Sequence, residues 1–342
     1  MAKSVEEPAV VVSHREQLAY LLSEAAEIER GLMCCCLYAA YSLKRHPDEG
    51  LLAHEMDAVD RWRLVLHEVA HEEMLHLAIV SNLSTAVGVT PHLMRPNFPV
   101  SLGYHPSGIA LSLARFDEAT LMRFVYMERP EGVNLLDGAG FAGSQHFSRT
   151  SSPGKLMPSA QGYATVGHLH RGMILEGLRS LAAKFGENKL FCGHPQGQVD
   201  QRFFAIQGLT AVTDLASAEA AIELILTQGE GGAMSSDVSH HACFVRMQEE
   251  YEQIRKARPD FDPARPVARN PAMRPPPSPE DRVFIDDPAA ARVLDFANAQ
   301  YTHPHRRRQR HCQSLLGLQR RPRRYKIKQK ELTALSGCGA RA

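Results

Sequence analysis

From Val59 to Leu83 one set of residues recurs with a strictly helical period. Val59, Trp62, Leu66, Val69, Glu73, His76, Val80 and Leu83 follow one another at spacings of 3, 4, 3, 4, 3, 4 and 3. Such a narrow stripe faces a partner helix along its whole length, so the segment from about Asp57 to Val87 is expected to be one long helix of a bundle. Gly88 is placed to end it. Two members of the stripe are polar. A carboxylate in a core position costs several kcal/mol unless it is paired or binds a cation. The stripe therefore constrains chemistry as well as shape.

A second stripe precedes it. Leu18, Leu22, Ala25, Glu29, Leu32, Cys36 and Ala39 step by 4, 3, 4, 3, 4 and 3. A helix is expected over about Ser13 to Lys44, opened by a capping box from Ser13 to Glu16 and closed by His46-Pro47-Asp48. Glu29 is its one acidic core member. Further helices are expected over Glu118 to Glu128 after Asp117, over Ala164 to Phe185 before Gly186, from Thr213-Asp214 to Gln228, and from Ser239 to Arg255. A short one is expected over Ala289 to Gln300. Prolines and glycines punctuate 90–161, which reads as a long crossover walling a pocket. The chain breaks again at Gly229-Glu230-Gly231-Gly232. Long helices without strand signals give an all-α chain: a four-helix bundle of the ferritin-like sort, with a long helix 2–3 crossover and a broken fourth helix. The expected units are a metal-binding bundle over 13–256, a proline-rich extension with a short helix over 257–301, and a basic, disordered tail over 302–342.

Charge and composition narrow the classes. The 342 residues are 44% hydrophobic and carry a formal charge of +1, yet Arg306 to Ala342 holds 12 Lys and Arg against one acid, Glu331. Blocks of like charge are usually solvated, and one aromatic, Tyr325, gives no stacking platform, so nucleic acid is not an expected partner. No run of 18 apolar residues occurs, which sets a membrane span aside. The start is polar and acidic, unlike a secretory leader. Seven cysteines, three of them consecutive (Cys34, Cys35, Cys36), suggest buried thiols in a reducing cytoplasm rather than a disulfide framework.

The chemistry sits in the stripes. Glu73-Met74-Leu75-His76 is Glu-x-x-His, whose ends share one helix face and can reach one ion. Glu29 in register on the preceding helix supplies a second carboxylate. Glu72, at i, i+4 to His76, lies one position off the stripe and is expected in solvent. Later helices offer His168, His170, Glu176 and Glu223, and His170 reads as an ordinary surface or satisfied core histidine. Glu230 sits where glycines would let the backbone break beside a metal. His240 opens the next stripe and faces inward, whereas His67, His71 and His241 lie off the stripes.

At these residues the sequence resembles the ferritin-like family of iminophenyl-pyruvate dimer synthase (VioB-like) domains. The resemblance rests on Ala26-Glu27-Ile28-Glu29-Arg30-Gly31-Leu32, on Val69-Ala70-His71-Glu72-Glu73-Met74-Leu75-His76-Leu77, and on Pro91-His92-Leu93-Met94-Arg95-Pro96-Asn97-Phe98-Pro99. Thr227-Gln228-Gly229-Glu230-Gly231 and Ser239-His240-His241 match later landmarks. It implies a bundle whose inward Glu29, Glu73, His76, Glu230 and His240 bind metal, two irons with manganese as the alternative. Where the family pattern looks like Thr-x-Gly-Glu, this chain has Thr165-Val166-Gly167-His168, which puts an imidazole, His168, in place of a bridging carboxylate. The implied activity is a metal-dependent oxidoreductase working with dioxygen or peroxide on a small, amino-acid-derived, aromatic substrate, in a chain able to form homo-oligomers. The rival expectation is a non-catalytic or degenerate metal-binding bundle used for assembly.

Overall fold

The computed structural model describes residues 11–94, 97–100, 111–131, 133, 163, 165–230, 238–275 and 281–300. The tail 302–342 and most of the crossover lie outside them, as do the expectations that fall there. Two stripes become two rods, α1 (Arg15–Ser42) and α2 (Ala53–Ala86). At 1.5 Å per residue, α2 is about 51 Å long. Contacts between Glu29 and His76 at one level and between Arg63 and the Lys44 carbonyl at another make the two rods antiparallel. The start of α1 departs from the expected capping box. The helix begins after His14, and the Gln17 side chain, rather than Glu16, accepts the Ser13 N–H at 2.8 Å. Gly88 ends α2 with φ +75°, a left-handed turn that glycine adopts without strain, and its N–H reaches the Thr85 carbonyl.

The crossover contains α3 (Glu118–Met127), N-capped by Asp117, whose carboxylate accepts the Thr120 N–H. The third rod is continuous but not uniform. It starts as α4 (Val166–His168), widens into a π-helical stretch (Leu169–Leu175), and resumes as α5 (Glu176–Phe185). It runs antiparallel to α1: His170 meets Glu29, and Lys184 meets the Ser13 carbonyl. A single turn, α6 (Glu187–Leu190), follows.

The fourth rod comes in two pieces, α7 (Leu215–Gly229) and α8 (His240–Ala257), capped by Asp214 and Ser239. Both lie along α2, in line and antiparallel to it. Gln228 contacts His76, His240 contacts Glu72, and Glu250 accepts the Trp62 indole N–H. The break between them thus stands beside the Glu72–His76 turn of α2. Residues 288–300 are also helical.

Apolar packing explains why these rods stay together. Trp62 is 1% exposed and stacks on Phe116 at 5.4 Å, with Tyr251 and Phe261 edge-on or tilted around it. Phe261 comes from the proline-rich extension, and Lys44 and Arg265 exchange backbone bonds there with Pro263 and Ser42. Cys34 is only partly buried, whereas Cys35 and Cys36 are buried free thiols, as the sequence suggests. Their burial pushes both far above the ordinary thiol range. Among the described residues no helix is long and apolar enough to cross a membrane, and strand pairing is limited to two isolated bridges.

Candidate metal centre

The two acidic stripe positions meet in the core. Glu29 and Glu73 are each 1% exposed, as are His76 and His240. Glu29, Glu73 and His76 present ligand atoms to one another within 4.8 Å, and so do Glu73, Glu128 and His240. Glu73 belongs to both groups, so two triads share one carboxylate. The His76 and His240 rings lie 5.6 Å apart, centre to centre. The sequence-derived Glu29, Glu73, His76 and His240 are thus brought together.

Glu128 is the residue that pattern reasoning missed. It caps the C-terminus of α3, a ten-residue helix whose stripe is too short to show an acidic core position, and its Oε2 lies 3.6 Å from His240 Nδ1. His170 is also drawn in. It is fully buried, and its Nε2 lies 2.8 Å from Glu29 Oε1. Two residues apart on an α-helix, His168 and His170 would point to opposite sides. The rod changes to π-helical winding right after His168, and both histidines are buried, on different neighbours.

Glu230 and His168 stand at the edge, outside the two triads. Glu230 accepts the Glu131 N–H at 3.1 Å and pairs with Arg171 at 3.1 Å. His168 Nδ1 lies 3.0 Å from Glu131 Oε1. Gly167 lets the Glu230 carboxylate lie directly on the helix backbone, since any Cβ there would overlap it. Glu72 is half-buried rather than solvated, and His240 Nε2 lies 2.7 Å from its Oε2. Glu29, Glu73, Glu128, Glu230, His76 and His170 line one small cavity that opens to solvent, and Arg129 lines it too.

Electrostatics separate the carboxylates. Burial works to raise the Glu29 pKa, but hydrogen bonds from His170 and His76 outweigh it and hold Glu29 well below the usual range. Glu73 goes the other way: burial and the Glu29 charge raise it to about 7 against hydrogen bonds from His240 and His76. Burial opposes a charge on His76, yet Glu29 and Glu73 raise it to about 10. His240 is likewise raised, against its burial, by Glu128, Glu72 and Glu73.

A cation fits this arrangement on its own terms. Glu73 Oε2 and His170 Nδ1 are buried and have no hydrogen-bond partner among the described residues, and His240 Nδ1 faces only the carboxylates of Glu73 and Glu128, at 3.1 and 3.6 Å. Buried polar atoms left so are rare and call for a ligand, and a carboxylate-rich set with imidazoles suits iron or manganese.

Comparison with known proteins places the chain in a class. The sequence profile of the ferritin-like family matches residues 22–249, and the chain belongs to that family. It is 29% identical over 290 residues to 2-imino-3-(indol-3-yl)propanoate dimerase of Chromobacterium violaceum, covering 77% of this chain and 26% of that protein. It is 26% identical over 329 residues to dichlorochromopyrrolate synthase of Lentzea aerocolonigenes, covering 85% and 30%. The chain therefore spans less than a third of the length of either relative. A crystal structure of a ferritin-like protein from Caulobacter vibrioides aligns over 79% of this chain and 81% of its own, at 18% identity and TM-score 0.49.

Proposed function

We propose that this chain is a metal-dependent oxidoreductase that holds two ions, iron in the first instance and manganese as the alternative. Its substrate would be a small aromatic carboxylate derived from an amino acid, with dioxygen or peroxide as oxidant. The observation that carries the proposal is the pair of buried triads joined at Glu73, with donor atoms left unpartnered inside. The relatives' names, a dimerase of an indolyl imino acid and a synthase, support an enzyme acting on a small organic acid.

Bound at the triads, iron would supply the redox chemistry that takes electrons from an organic substrate. This chain's own side chains do the rest. Glu73 stands between the two positions, Glu29 and His76 complete one, and Glu128 and His240 complete the other. His170 holds Glu29 in place through a 2.8 Å contact. Leu32, Met127, Val166 and Leu226 keep the cavity apolar around the acids, which strengthens every charge interaction in it. Arg129 lines the same cavity, its guanidinium 3.7 Å over the Tyr126 ring and its Nη1 donating to the Tyr126 carbonyl at 2.6 Å, and would bring a positive charge toward a substrate carboxylate. Glu230 lines the cavity and is tied to Arg171 and the Glu131 N–H, while His168 meets the Glu131 carboxylate.

Metal analysis with an anaerobic-to-aerobic optical titration tests this. Two irons per chain with an oxygen-dependent spectral change are expected, falling to one or none in Glu73→Ala and His76→Ala. A folded chain that takes up no metal would overturn the proposal. The non-catalytic bundle would then stand, for His76 and His170 already face Glu29 and could close the core as an ion-paired cluster.

A further inference from the structure

Behind the two imidazoles runs a second layer of contacts that the triads do not include. His76 Nε2 lies 3.0 Å from Gln228 Oε1. The Gln228 amide nitrogen donates to Glu72 Oε1 at 3.1 Å. The other oxygen of that carboxylate, Oε2, lies 2.7 Å from His240 Nε2. One side chain, Glu72, thus ends a chain of contacts that reaches a histidine of each triad.

The hydrogen-bond polarity of this chain is fixed by its anion. A carboxylate only accepts. Gln228 must therefore turn its NH2 to Glu72 and its carbonyl to His76, so His76 Nε2 carries a hydrogen. His240 Nε2 must carry one as well, because Glu72 Oε2 has none to give. In both rings Nδ1 is left as the atom that faces the acids, 3.4 Å from Glu29 Oε2 for His76 and 3.1 Å from Glu73 Oε1 for His240. The fold supplies the placement. Adjacent residues on a helix point about 100° apart, so Glu73 enters the site while Glu72 passes behind His240. The break between α7 and α8 brings Gln228 and His240 to the same turn of α2. Glu72 keeps 35% of its side chain exposed, so water stabilises its charge.

We propose that Glu72 is a positioning residue for both metal positions at once, fixing through Gln228 and directly the ring orientation and tautomer with which His76 and His240 ligate through Nδ1. This rests on the metal reading above and adds to it a residue that touches neither ion. It also assigns Gln228 a role that depends on its amide direction rather than its bulk.

An isosteric swap tests the polarity. In E72Q the amide at position 72 can accept at only one of its two contacts. Either its nitrogen faces Gln228, which turns over and drives the His76 hydrogen to Nδ1, or its nitrogen faces His240 Nε2 and drives that ring's hydrogen to Nδ1; in both cases one ring is blocked from ligation. Cobalt(II) titration of the full chain, read by its visible spectrum, should show two ions in wild type. In E72Q one of them should bind roughly 10- to 100-fold more weakly, the usual cost of losing an outer-layer partner. The double variant E72Q/Q228E restores one acceptor facing one donor, and should return cobalt affinity to within a few-fold of wild type. E72A removes the anchor from both rings and should weaken both ions. Metal-free thermal melts of all variants should stay close to wild type. E72Q binding two cobalt ions as tightly as wild type would overturn the network and leave the metal reading standing. So would a double variant that melts normally yet recovers nothing. Wild type binding no cobalt would overturn both.

Discussion

Replacing Glu73 with glutamine should have opposite effects with and without metal. In the metal-free protein the carboxyl is 1% exposed, one oxygen has no partner among the described residues, and the Glu29 charge lies beside it. Its pKa rises from an ordinary 4.5 to about 7. A carboxyl that binds its proton more tightly when folded favours the native state below pH 4.5. That advantage is lost as pH rises to 7 and is gone above it. At 1.36 kcal/mol per pH unit, ionised Glu73 costs the metal-free fold about 3 kcal/mol at pH 8. Glu73→Gln has the same shape and no charge. Chelator-treated E73Q should therefore melt roughly 5–10 °C above wild type at pH 8 and close to it at pH 4.5. With iron or cobalt added, the order should reverse, because wild type gains binding energy through a carboxylate that the variant lacks. Thermal melts at two pH values, with and without metal, read all four cases. A metal-free E73Q that melts below wild type at pH 8 would refute the reasoning, as would metal stabilising both proteins equally.

Metal uptake should release protons, since His76, at about 10 in the metal-free site, must give up its Nδ1 hydrogen; cobalt affinity should rise from pH 6 to pH 9, with acidification in weakly buffered solution. Glu230→Gln should keep two ions per chain by metal analysis, because Arg171 and the Glu131 N–H already hold that carboxylate. Arg129→Leu should raise KM for a carboxylate substrate by 10-fold or more while metal content stays at wild-type level, a split that steady-state kinetics and metal analysis read together. Trp62→Ala should cost about 3–5 kcal/mol of stability in denaturant titration, since it empties the aromatic cluster with Phe116, Tyr251 and Phe261.

The parts of the site readable from sequence are those carried by long helices. Glu29, Glu73 and His76 stand in stripes of seven or eight members, where one polar residue in register is conspicuous. Glu128 could not be read this way, because α3 has ten residues and Glu128 is its cap rather than a member of its stripe. His170 could not be read either, because its stretch has π-helical winding, where a count of 3.6 residues per turn no longer gives the face of a residue. Glu72 was misplaced for another reason. A single stripe describes a helix with one partner, and α2 meets α1 on one side and α7 and α8 on another. Its flank is therefore a contact surface, and a residue one step off the stripe can still be structural.

Because the last rod is cut in two, the pocket is held by groups of helices that need not fail together. Glu29 and His76 hang on α1 and α2, whereas Glu128 and His240 hang on α3 and α8, which pack on each other while α8 also meets α2 and α7. Loosening α3 and α8 would dismantle one of the two proposed metal positions and leave its neighbour intact. If the proposal of two ions holds, they would then leave in sequence, the one at Glu128 and His240 first, with a singly loaded form on the way to the empty protein.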